Sequence, residues 1–118
     1  MHDLEETKNL SINSFERLAQ TDVFKLSTYL SSKDLSAGMR TLVAEAVGKS
    51  NDSDAVREIL LPLLGEAEPI VQEGAIYGLE HHLNETVRMR LRVLINDQST
   101  HWAVKMAAED ALGEDDNE

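Results

Sequence analysis

Residues 55–80, AVREILLPLLGEAEPIVQEGAIYGLE, carry two apolar periodicities separated by a short acidic turn. Val56, Ile59, Leu60, Leu63 and Leu64 follow the i, i+3, i+4, i+7, i+8 spacing that places apolar groups on one helix face. Ser53 and Asp54 stand ahead of them, where short oxygen-bearing side chains cap orphan backbone N–H groups. Pro62 falls inside the predicted helix, where it removes a donor and bends the axis. Gly65 offers a left-handed stop, and Pro69 suits the first position of a second helix. The inward positions of that second helix are Val71, Gly74, Ala75, Gly78 and Leu79. A glycine costs a helix interior about 1 kcal/mol relative to alanine. Gly74 and Gly78 are therefore worth keeping only if close approach of a neighbour returns more than they cost.

The second-helix pattern recurs. Met39-Arg40 is followed by Val43 and Ala46-Val47-Gly48, Val71-Gln72 by Ala75 and Gly78-Leu79-Glu80, and Val104-Lys105 by Ala108 and Ala111-Leu112-Gly113. The starts Met39, Val71 and Val104 lie 32 and 33 positions apart. The first helices keep the same order, with Val23, Leu26 and Leu30 matching Val56, Ile59 and Leu63, then Val87, Arg90 and Leu94. Around these copies, residues 1–12 read as a frayed acidic N-terminus and 13–113 as the repeat domain, with repeats at about 21–49, 53–82 and 86–113. Residues 114–118 read as a solvated acidic tail. Asn13 to Glu16 reads as a capping box opening an N-terminal helix through Phe15, Leu18 and Ala19. That helix is expected to cover the apolar end of the stack.

The run LLPLL, an acidic turn, then V-[RQK]-x-x-A-x-x-[AG]-L resembles the HEAT repeat, including the prolyl kink of its first helix. Gln72 and Lys105 stand where that family usually has arginine, Glu66 replaces the usual turn aspartate, and only the middle first helix carries the proline. The resemblance implies an all-α fold: a short α-solenoid of about three HEAT-like antiparallel helix pairs plus an N-terminal capping helix. It implies a protein–protein interaction module. In some branches of the family it is associated with DNA or phycobilin chemistry.

At 118 residues the chain is long enough to bury a core without staples. It has no cysteine, which excludes disulfides and thiolate metal sites. The start, MHDLEETKNL, is acidic and polar, unlike a secretory signal or transit peptide. No apolar run approaches the roughly 20 residues of a membrane span, so a cytoplasmic location is expected. Eleven basic against 22 acidic residues give a net charge of −11. That field repels nucleic-acid phosphates and anionic lipid and favours a partner protein with a basic surface, with no direct nucleic-acid or membrane contact.

Stacked second helices line the concave wall of such arrays. The positions between their buried residues should point outward there: Arg40, Thr41, Ala44 and Glu45, then Gln72, Glu73, Ile76 and Tyr77, then Lys105, Met106, Glu109 and Asp110. Among these, Arg40, Gln72, Glu73, Ile76, Tyr77, Lys105, Met106, Glu109 and Asp110 form the expected partner-binding set, with Tyr77, Ile76 and Met106 as apolar anchors. Arg88, Arg90 and Arg92 are read as locally paired charge. His81 and His82 lie about 100° apart on a helix and do not face one ion, so no metal is expected. Trp102 reads as a core plug. Serines and threonines sit at caps and turns, and no G-x-S-x-G, Walker loop or paired-carboxylate signature is present, so neither an enzyme nor a cofactor is expected. The function expected is a non-catalytic adaptor using an acidic concave face. The alternatives are a small acidic inhibitor or immunity-type protein that blocks a basic, nucleic-acid-binding site, or a phycobilin-lyase-like enzyme domain. Monomer and homodimer both remain open.

Overall fold

A computed structural model describes residues 4–32 and 34–113, with side chains described from Asn13 onward. Its elements are α1 (Leu4–Thr21), α2 (Val23–Leu30), α3 (Ala37–Val47), α4 (Ser53–Leu60), a 3₁₀ turn (Leu61–Gly65), α5 (Pro69–Leu79), α6 (Glu85–Asn96) and α7 (Trp102–Leu112). The fold is all-α, with no strand among the described residues. None of these helices is long and apolar enough to cross a membrane. The expected tail at 114–118 lies outside the described residues.

Several local expectations change once the backbone is in view. α1 is already helical at Leu4, so Asn13 and Ser14 sit within it rather than capping it. α4 is not one kinked helix through Leu64. It stops at Leu60 and gives way to the 3₁₀ turn, because Pro62 has no N–H and its ring cannot accommodate the carbonyl four residues back. The α4 cap is Asp52, whose carboxylate accepts from the Ala55 N–H at 3.1 Å, which frees Ser53 for another bond. Gly65 does not take the left-handed conformation. Among the described residues only Gly113, after α7, has a positive φ, of 54°. Pro69 opens α5 as expected.

The core is built on small side chains. α5 lies between α3 and α7 and touches both, and α1 contacts α2 and α3. A Cβ at Gly78 would stand 2.6 Å from the Ala44 carbonyl oxygen and 2.5 Å from Leu60 Cδ1. One at Gly74 would stand 2.8 Å from Thr41 Cγ2, and one at Gly48 would meet the Gly78 backbone at 2.5 Å. The backbones of α3 and α5 thus meet where the sequence deletes side chains, and the glycine cost is returned as contact between main chains. Val43, Val47, Val56, Leu60, Val71, Leu79, Val87, Leu91 and Val104 fill the interior around this crossing.

His82, in the turn after α5, ties three segments together. Its ring is buried, with Nε2 2.9 Å from the Gly48 carbonyl oxygen and Nδ1 2.7 Å from Ser53 Oγ. A carbonyl only accepts, so Nε2 carries a proton, and in the neutral ring Nδ1 accepts from the serine hydroxyl. Arg57 donates from its guanidinium to the His82 carbonyl at 2.9 Å.

Candidate binding face on the second helices

The expected site residues divide into two groups. Arg40 is half-buried, donating from Nε to the Leu30 carbonyl at 3.0 Å and pairing its guanidinium with the Glu66 carboxylate. Gln72 donates to the Leu64 carbonyl at 2.8 Å. Both side chains hold the turn between the first and second helices. Ile76 is a correction: it was expected to face outward, and it is fully buried. So is Ala44, its equivalent one repeat earlier, whose backbone lies beneath Gly78. Ala44 lies against α5, and Ile76 in the same register is equally buried, so this position belongs to the core and not to the free face.

The remaining residues keep an open face. Tyr77 is 44% exposed. Met106, Glu109 and Asp110 are exposed on α7, and Glu73 and Lys105 are half-buried. Tyr77 sits in a concavity of about 350 Å³ lined also by Glu45, Gly48, Lys49, Glu80 and His81. The phenol is raised above its ordinary ionisation range, by loss of hydration first and then by the carboxylates of Glu73, Asp110, Glu45 and Glu80. Carboxylates on three helices therefore act electrostatically on one tyrosine: Glu45 on α3, Glu73 on α5 and Asp110 on α7. Glu80, just past the end of α5, adds a fourth. Glu45 is among the outward positions of the repeat but not in the expected partner-binding set, although it is equivalent to Tyr77 and Asp110; Glu80 has no such signal.

Glu45 gives this face an energetic signature. Burial raises its carboxyl above the usual range, and Lys49 offsets only part of that. The folded state then holds the proton more tightly than the unfolded chain does. Stability from this group is present below the unfolded carboxyl pKa and is lost as pH rises through the raised folded value. Glu45→Gln should therefore raise the melting temperature at pH 7 and lose that advantage near pH 3, checked by thermal melts at the two pH values.

Trp102 corrects a second expectation. It is 68% exposed at the first turn of α7, stacked on the His101 ring with centroids 5.6 Å apart, and does not plug the core. α7 begins at this residue, and the buried stripe starts two positions later at Val104. On α6, Arg92 lies 3.8 Å from Glu85, a local pair of the expected kind. Among the described residues, no three histidines or carboxylates converge as a metal-ion site.

A larger concavity was not anticipated. A groove of about 770 Å³ runs between α2 and α4 with its 3₁₀ extension. Leu30, Ile59, Leu63, Phe24 and Pro62 give it an apolar lining, to which the Arg40–Glu66 pair is added. Comparison with protein-family models, with curated proteins and with solved structures returned no match.

Proposed function

We propose that this chain is a short α-solenoid of about three HEAT-like helix pairs capped by α1, and that it is a non-catalytic protein-binding module. In this reading α2–α3, α4–α5 and α6–α7 are the pairs, and the free face of α3, α5 and α7 grips a basic surface on another protein. The observation that supports the reading is Tyr77, a half-exposed aromatic in a concavity shared with Glu45, Glu80 and Lys49, and under the field of further carboxylates at Glu73 and Asp110. Aromatic anchors ringed by charge supply both the apolar contact and the electrostatic selection of a partner. The net charge of −11 extends that selection beyond the contact itself.

The test is capture of basic proteins from native cytosol on the immobilised chain at 50 and 300 mM salt, beside the Tyr77→Ala variant. A complex of this kind weakens as salt screens the acidic face, since the Debye length falls to about 10 Å by 0.1 M. Tyr77→Ala should lower capture at low salt by roughly tenfold or more, the cost of a hot-spot truncation near 2 kcal/mol, while the melting temperature stays within about 2 °C. Equal loss of capture and of stability, or capture indifferent to Tyr77, rejects the reading. A captured protein that loses its own nucleic acid on binding makes the module an inhibitor.

A further inference from the structure

The groove between α2 and α4 is lined by two serines at positions where the later first helices carry aliphatics. In the repeat register Ser27 stands where the later first helices carry Leu60 and Leu91, and Ser31 where they carry Leu64 and Ile95. Leu60, Leu64 and Leu91 are buried, whereas Ser27 and Ser31 line open space. The serine hydroxyls are turned back on their own helix, Ser27 donating to the Phe24 carbonyl at 2.6 Å and Ser31 to the Ser27 carbonyl at 3.2 Å. Phe24, 49% exposed, and the solvent-facing Pro62 supply the open apolar surface, while Leu30, Ile59 and Leu63 in the same lining are buried.

The polar chemistry of the groove selects an occupant. With their protons spent, the Ser27 and Ser31 oxygens offer only lone pairs. The carboxylate of Glu66 is neutralised by Arg40. Glu58 is exposed on the rim and has no ion-pair partner among the described residues. Among its described residues the groove therefore presents apolar surface, the Ser27 and Ser31 acceptors, the Ser32 hydroxyl, which accepts from the Asp34 N–H, and one unneutralised negative charge at Glu58. We propose that it docks a short peptide segment of a partner protein, inserting two neighbouring large apolar side chains where the leucines are missing and setting a lysine or arginine against Glu58. The volume falls in the range of sites that bury most of a small ligand. This site lies on the first helices, apart from Tyr77, and does not depend on the second-helix face.

A displayed library of random twelve-residue peptides, selected on the full chain, supplies the probe. Selected peptides should pair adjacent Leu, Ile, Phe or Met with a lysine or arginine. The double variant Ser27→Leu/Ser31→Leu restores the aliphatics of the other repeats, and should bind them at least about tenfold more weakly, the equivalent of 1.4 kcal/mol, with no loss of melting temperature. Glu58→Arg, a surface change that leaves the groove's volume intact, should weaken binding severalfold at low salt. Tyr77→Ala should leave it unchanged. Absence of enrichment, enrichment of acidic peptides, undiminished binding to both groove variants, or loss of binding in Tyr77→Ala each overturns the proposal. The last outcome would instead place these peptides on the second-helix face.

Discussion

Gly78→Val is expected to destabilise the fold by about 3 kcal/mol, at the upper end of what overpacking costs. For a domain of this size that is a fall in melting temperature of roughly 12 °C. The cause is specific. A single added carbon at Gly78 meets the Ala44 carbonyl oxygen at 2.6 Å, and a backbone oxygen inside a helix cannot swing aside as a side chain can. Leu60 Cδ1, at 2.5 Å from the same point, is itself fully buried and has no free rotamer to retreat to. Gly38→Ala is the matched control. Its new Cβ would have only Ser36 Oγ near it, at 3.9 Å, so the better helix propensity of alanine should stabilise by up to about 1 kcal/mol. Opposite signs for two glycine replacements in helices separate packing from propensity, and urea denaturation reads both. A neutral Gly78→Val would mean that α3 and α5 do not meet main chain to main chain.

His82→Ala should cost about 3 kcal/mol by the same measurement, in a side chain whose exposed neighbour His81 can be replaced with little effect. The loss has two parts. Truncation opens a cavity beneath the end of α5, and it strands the Gly48 carbonyl at the C-terminus of α3, where no intrahelical donor is available. Ser53 loses its acceptor at 2.7 Å as well. Ser53→Ala alone should therefore be milder, and the double variant should be less damaging than the sum by about 1 kcal/mol or more. Strict additivity would show that the three groups do not act as one bridge.

What the sequence made legible was whatever repeats. Small residues recurring at near-constant intervals located α3, α5 and α7, and the glycines among them anticipated the α3–α5 crossing. The sequence did not distinguish the two sides of a second helix. Ile76 and Tyr77 are neighbours with similar apolar character, yet one is fully buried and the other faces solvent, because helical spacing reports one buried stripe and the second contact comes only from the next helix. Trp102 misled for a related reason: its size suggested the interior, but its place at the first turn of α7 puts it ahead of the buried stripe. His82 carries no pattern at all, since its partners lie 34 and 29 positions away at Gly48 and Ser53. The groove was legible in principle. Ser27 and Ser31 break the register of aliphatics, but a serine in a helix reads as ordinary surface until the neighbouring helix is in place.

Both proposed surfaces rest on nesting of successive helical pairs, and the absence of cysteine gives a direct test of it. Lys49→Cys and His81→Cys, introduced together, would place exposed thiols just past the ends of α3 and α5, both on the concavity beside Tyr77. A short bifunctional thiol reagent joins them only if those two helix ends lie side by side. Treatment with it should give an intrachain bond in nearly every molecule, with the helical circular dichroism retained. Slow formation of linked dimers only, or no bond in the folded chain, would contradict the nesting and with it the surfaces it creates.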